Sequence, residues 1–333
     1  MARARARVRA RGGPRADAPG GPPAPPLDLA LVVAERNRGW VLETICQQVA
    51  ARAAGPTALH FDPGDGGPLP AAGCYFFSHL SLYLAHLDEL ERRAARSLVC
   101  FTHPTYPRSK AASVARALDR ATHVVVLASA HREALVADGV DPSRVSTVAP
   151  GADPERFRPH RRGSGAVGFC SAFYPRKGPE TVAGLVAALP GRRFVLLGRG
   201  WEQWDGFAAL AGLANFEYRQ SAYERYPDFY DEIDVFVSPS RLEGGPVPLL
   251  EAMMANAVPV ATTTGFAPDL IDHGVNGFLC DVGAPVERFA ELVEAAYDLS
   301  PEVDVRATVA HRTWDRFART VLSLGAVDAS PAR

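Results

Sequence analysis

Two carboxylates, Glu243 and Glu251, stand eight positions apart in RLEGGPVPLLEAMMANAVP (Arg241–Pro259), on either side of a Gly-Gly-Pro break. A carboxylate accepts hydrogen bonds from two neighbouring hydroxyls at once, so each acid suits the vicinal diol of a ribose or a hexose. The preceding IDVFVSPS reads as a strand, and the segment from Pro248 onward reads as a helix with that proline at its first position. Glu243 then falls at a strand's carboxyl end and Glu251 in the helix's first turns. Amides at that helix start, at Gly244, Gly245 and Val247, are expected to be free for an anionic or hydroxyl-bearing ligand, and the two glycines let it approach the backbone closely. The plainer reading of Glu251 is an acid favoured by the helix dipole, and the residues alone leave both readings open.

Such a pair is useful only if the rest of the chain holds it at the edge of a sheet. From Leu27 onward, short apolar runs alternate with amphipathic ones: LDLALVV then WVLETICQQVAARA, CYFFS then LSLYLAHLDELERRA, THVVVLA then SAHREALVADG. Buried strands each followed by a helix predict a parallel sheet covered on both faces. PGADPERFRPHRRGSG (Pro150–Gly165) breaks this rhythm with Pro, Gly and charge, and the rhythm resumes with GAVGFC, RFVLLG, ANFEY, IDVFVS and PVATTT. The expected fold class is α/β, with two doubly wound Rossmann-like domains facing across a cleft and ligands at the carboxyl ends of the strands. The expected divisions are a disordered Arg/Pro-rich tail at 1–26, an amino-terminal domain at 27–155, a carboxy-terminal domain at 156–300, and a terminal helical segment at 301–333.

Length supports two domains, since 333 residues exceed the size of one ordinary core. The net charge of −1 hides an asymmetry: residues 1–20 carry six arginines and one aspartate, and the remainder is acidic. An acidic body argues against a nucleic-acid partner. Five scattered cysteines with no C-x-x-C pair suit a reducing compartment. No apolar run reaches the roughly 20 residues that span a bilayer, and the first residues lack the apolar centre of a signal peptide, so a cytoplasmic location is expected.

With these elements in place, SRLEGGPVPLLEAM resembles the Glu-x7-Glu motif of retaining GT-B glycosyltransferases of family 4, glycosyl transferases group 1, which use nucleotide sugars. PRKGPE (Pro175–Glu180), VAPGADPERFRP (Val148–Pro159), VLLGRG, DVFVSPS and PVATTTGFAPDLIDHGVNGFL fall in the same order as in that family, over most of Arg144–Cys280. The resemblance implies that Glu251 holds the ribose hydroxyls of a nucleotide diphosphate sugar and Glu243 hydroxyls of the transferred sugar. It implies that Lys177 neutralises the diphosphate leaving group, where negative charge develops as the glycosidic bond breaks. His103, after the strand in CFTHPTYP, resembles the family histidine near the reaction centre. Gly39 and Trp40 mark the first strand-to-helix turn, an acceptor or phosphate loop, and Tyr218 and Arg219 are expected to flank the base.

The chain also departs from the family. Ala172 stands where an arginine is usual, leaving Arg176 or Arg199 as substitutes, and Gly245-Pro246 replaces Phe-Gly, which removes one donor. The family carries two glycines at the first turn where only Gly39 is present. There is no Asp-x-Asp pair placed to hold Mg²⁺ and no Gly-x-Gly-x-x-Gly fingerprint, so no metal and no cofactor beyond the nucleotide sugar is expected. The acceptor is expected to be a hydroxyl of a small molecule, with peripheral membrane contact through Arg108–Arg120 the less favoured case. A nucleotide-sugar epimerase of the same fold and a non-catalytic sugar-nucleotide-binding subunit remain alternatives. Val309, Trp314, Phe317, Val321 and Leu324 form a helical apolar stripe, which in the family crosses back to the amino domain.

Overall fold

The computed structural model describes residues 26–330 apart from 65, 105, 164 and 300. The expected disordered tail, 1–26, lies outside these residues except for its last position. Among the described residues, twelve strands form two sheets. In the first, β1 (Leu27–Ala34), β2 (Thr57–Asp62), β3 (Ala72–Phe77), β4 (Arg96–Phe101), β5 (His123–Val126) and β6 (Val145–Thr147) run in the order β2-β1-β3-β4-β5-β6. The second holds β7 (Ala166–Cys170), β8 (Phe194–Leu197), β9 (Phe216–Arg219), β10 (Ile233–Ser238), β11 (Val258–Thr262) and β12 (Phe278–Cys280) in the order β12-β11-β10-β7-β8-β9. Every ladder is parallel.

The apolar runs explain this arrangement. Leu29–Val33 in β1 are fully buried, and their side chains alternate between two cores: Leu29, Leu31 and Val33 on one face, Ala30 and Val32 on the other. A strand buried on both faces suits a sheet sandwiched between helices. On the first of these faces, helix Val41–Ala50 packs beside the last helix of the chain, Trp314–Leu324, which contributes Trp314, Phe317, Ala318, Val321 and Leu322. Although it follows the second sheet in sequence, this helix therefore completes the core of the first. Arg96 Nη1 fixes its end by donating to the carbonyls of Gly325 and Ala326, each at 2.8 Å. The two passages of chain between the halves lie side by side, with Ala152 N donating to Arg312 O at 3.0 Å.

Strand order reverses between β1 and β3 in the first sheet and between β7 and β10 in the second. Chains leaving a sheet at such a point diverge to opposite faces and leave a crevice beyond the strand ends. The loops after these four strands line one shared cavity. Among the described residues, no helix is long and apolar enough to cross a membrane.

Candidate active site

The cavity is about 740 Å³ and takes its walls from both halves, including Trp40 and His103 from the first and Lys177, Arg199, Glu243 and Glu251 from the second. Its floor is the loop after β10. The helix expected at Pro248 opens one residue earlier, spanning Val247–Met254 with Pro246 as its N-cap. Prolines at the N-cap and in the first turn fit because neither position needs an intrahelical donor. The amides of Gly244, Gly245 and Val247 have no hydrogen-bond acceptor among the described residues. These are the unsatisfied donors of a helix start, and they face the same cavity.

Two close approaches make this floor. The Pro175–Lys177 turn ends at Gly178 with φ +71°, where an added Cβ would lie 2.6 Å from the Pro239 carbonyl oxygen. Only glycine combines that backbone conformation with that contact, and the approach brings Lys177 onto Glu243. Gly244 sits against the first half, with a Cβ position 2.5 Å from Thr102 O. Gly244→Ala is expected to push the loop off Thr102, lowering stability by about 2 kcal/mol and loosening the cavity. Thermal melts and nucleotide titrations check this against Gly191→Ala, whose Cβ would meet nothing within 4 Å. Equal behaviour of the two variants would mean that the Thr102 contact does not hold the cleft.

Glu243 is only 6 % exposed. Its Oε1 accepts from the Lys177 ammonium, Arg176 Nη1 lies 3.7 Å from its Oε2, and Arg176 also donates to Leu242 O at 3.1 Å. The acid expected to meet the sugar and the cation expected to meet the diphosphate thus neutralise each other in the free protein. Glu251 is 1 % exposed. Tyr223 donates to its Oε1 at 2.6 Å and Tyr230 to its Oε2 at 2.9 Å. Burial pushes its carboxyl up from 4.5 to about 7, against the two tyrosine hydrogen bonds and Arg156, which lower it. Each oxygen keeps one further acceptor site for a ligand hydroxyl.

His103 borders the cavity with its Nδ1 buried and without a hydrogen-bond partner among the described residues. Burial first, then the charge of Arg176, holds its imidazole down to about 4, so at neutral pH it is an uncharged donor and acceptor. Gly39 and Trp40 also line the cavity. The Gly39 amide, however, donates to Glu43 Oε2 at 2.5 Å, so an acid of the chain itself occupies that donor.

One pair of expected site residues stands apart from the others. Tyr218 and Arg219 lie outside the cavity lining. Tyr218 donates to Glu202 at 3.1 Å, and Arg219 bridges Glu217 and Glu232 beside β9. The chain turns inward only after the strand ends, so Gln220, Ser221, Ala222 and Tyr223 form the wall instead. Tyr223, Tyr226 and Tyr230 were not among the expected residues, although their three- and four-residue spacing places them on one helical face before β10. Tyr223 and Tyr226 line the cavity, and Tyr230 supports Glu251 from behind. Among the described residues, no three of His, Cys, Asp or Glu come together as a metal site.

Two parallel Rossmann-like sheets with a cavity between their switch points define the GT-B class. Residues 155–311 match the family model described as Glycosyl transferases group 1. The chain is 27 % identical over 226 residues to a D-inositol 3-phosphate glycosyltransferase of Mycobacterium sp. (strain KMS), covering 62 % of this chain and 51 % of the relative. It is 30 % identical over 214 residues to the GDP-mannose-dependent alpha-(1-6)-phosphatidylinositol monomannoside mannosyltransferase of Mycobacterium tuberculosis (strain ATCC 25618 / H37Rv), covering 55 % and 54 %. The chain therefore spans about half the length of the curated relatives it matches. Among solved structures it is similar to Anabaena Alr3699/HepE in complex with UDP-glucose, with a TM-score of 0.74 and 14 % identity over 89 % of this chain and 98 % of that one. A sucrose-phosphate synthase from Thermosynechococcus elongatus gives a TM-score of 0.72 with 15 % identity over 89 % and 97 %. Residues 155–311 are thus similar to that family, and the solved structures share the chain's fold.

Proposed function

We propose that the protein is a retaining glycosyltransferase that moves a hexose-type sugar from a nucleotide diphosphate sugar to a hydroxyl of a small-molecule acceptor, without a metal ion. The observation that carries this reading is the convergence of Lys177, Glu243, Glu251 and the unsatisfied amides of Gly244, Gly245 and Val247 on one cavity. Glu251, oriented by Tyr223 and Tyr230, accepts the ribose hydroxyls. The incoming diphosphate draws Lys177 away from Glu243, and the freed carboxylate accepts hydroxyls of the sugar. As the bond between the anomeric carbon and the diphosphate oxygen breaks, its electron pair stays on the diphosphate, where Lys177 and the amides stabilise it. The acceptor oxygen bonds to the anomeric carbon on the same face, and its proton passes to the leaving phosphate oxygen. Neutral His103 is placed to hydrogen-bond the reacting region without adding charge.

The amino-terminal half is assigned to the acceptor and the carboxy-terminal half to the donor. Incubation with a panel that includes UDP-glucose and GDP-mannose, the nucleotide sugars named for the similar proteins, tests the reading. Transfer or slow hydrolysis with release of nucleotide diphosphate is expected, unchanged by a chelator, and the product should keep the donor's anomeric configuration. A product with altered sugar configuration and no transfer, or binding without turnover, would replace this reading with an epimerase or a binding subunit.

A further inference from the structure

We infer that Trp40 is a positioning residue for the donor diphosphate and acts across the cleft through Arg199; the inference rests on the transferase reading above. Arg199 follows β8 in the second half, and its guanidinium carbon lies 3.7 Å from the ring centroid of Trp40, which caps helix Val41–Ala50 in the first half. Tyr174, again from the second half, has its ring centroid 6.0 Å from that of Trp40, at an interplanar angle of 50°. All three side chains line the cavity.

Arg199 differs from the other cations of its half of the cavity. Lys177 and Arg176 share Glu243, whereas the guanidinium of Arg199 has no hydrogen bond or ion pair among the described residues. An indole face beneath a guanidinium fixes its plane and leaves its N–H donors directed outward, the disposition that reads two phosphate oxygens at once. A diphosphate leaving group carries more charge than Lys177 alone neutralises, and Ala172 supplies none. In the loop that carries Trp40, Glu43 already occupies the Gly39 amide, and Arg36 of the same loop lines the cavity. Trp40 serves the phosphates at one remove, by orienting a cation of the opposite half. The cation is in place only when the two halves are together, so nucleotide binding and closure of the cleft are coupled.

The test uses the full chain, with UDP, GDP, ADP and dTDP as probes and the matching monophosphates as controls, read by calorimetry. Arg199→Ala should weaken diphosphate binding about 10- to 30-fold, and Trp40→Ala about 5- to 10-fold, the range a desolvated cation–π contact supports. Trp40→Phe should restore affinity to within about threefold, because a ring face remains. The double variant should bind no more weakly than Arg199→Ala alone, since both changes remove one coupled unit. Monophosphate binding should change little. In turnover, the donor KM should rise with kcat nearly constant.

Additive losses in the double variant, a fall in kcat at constant KM, or equal losses for mono- and diphosphates would overturn the inference while leaving the transferase reading intact. If the unaltered protein binds none of the four diphosphates, the transferase reading fails, and this inference with it.

Discussion

Lys177→Ala is expected to lower kcat about 100- to 1,000-fold, the cost of removing one preorganised charge from a developing oxyanion. The donor KM should move far less, because much of the lysine's ground-state interaction is with Glu243. Loss of Lys177 also leaves Glu243, 6 % exposed, with only Arg176 at 3.7 Å. An under-compensated buried acid destabilises, so melting must be measured alongside turnover. Lys177→Met keeps the stem and removes the charge; it should match Lys177→Ala in kcat while melting higher, because the packing of the stem is kept. Retention of more than about a tenth of wild-type kcat by both variants would remove Lys177 from its assigned role.

Glu251→Gln should separate binding from stability through its dependence on pH. Burial raises the carboxyl from 4.5 to about 7 in the folded state. A group whose folded value is raised contributes its full share of stability below the unfolded value and loses it as pH rises through the folded value. Wild-type stability should therefore fall, relative to Glu251→Gln, between about pH 4.5 and pH 8, by roughly 3 kcal/mol at the upper end. Nucleotide affinity should run the other way. The ionised carboxylate is the stronger acceptor of ribose hydroxyls, and its population rises from a minority at pH 6 to a majority at pH 8, so affinity should increase by up to about tenfold across that interval. Glu251→Gln should lose the part of each slope that Glu251 contributes. His103, held down to about 4, does not titrate in this window, and the difference in slope between wild type and Glu251→Gln reports Glu251. Equal slopes in wild type and variant, read from denaturant midpoints and calorimetry at pH 6 and 8, would contradict the assignment. Glu251→Ala is a harsher change. It leaves the Tyr223 hydroxyl without its acceptor and Tyr230 with only the Pro248 carbonyl at 3.3 Å, and should cost about 1 to 3 kcal/mol at neutral pH besides abolishing nucleotide-dependent stabilisation.

The alternation of apolar runs with amphipathic segments was sufficient to read two parallel α/β sheets, because strands buried on both faces leave continuous apolar signatures such as Leu29–Val33. Glu243, Glu251 and the glycines between them were legible as a strand-to-helix turn for a local reason: Gly, Pro and acidic residues at a helix start have position-specific backbone preferences. Lys177 and His103 were legible through the resemblance of PRKGPE and CFTHPTYP to the family's motifs, and His103 also through its position directly after a strand.

What the linear pattern did not carry were partnerships formed across distance. Arg219 was expected at the base, yet Glu217 and Glu232 hold it beside β9, and an ion pair between strands leaves no periodic trace. Tyr223 and Tyr230 converge on Glu251 from more than twenty residues away, and the burial that raises that acid's pKa, against the lowering effect of their two hydrogen bonds, exists only once the chain has packed. Trp40 meets Arg199 because the two sheets face each other, with the last helix folded back onto the first. Sequence by itself determined which residues stand at strand ends, since that follows from local propensity and periodicity. Tertiary structure alone decided which of them are free, which are paired and which titrate near neutrality, because desolvation and Coulomb interaction depend on neighbours brought in from remote parts of the chain.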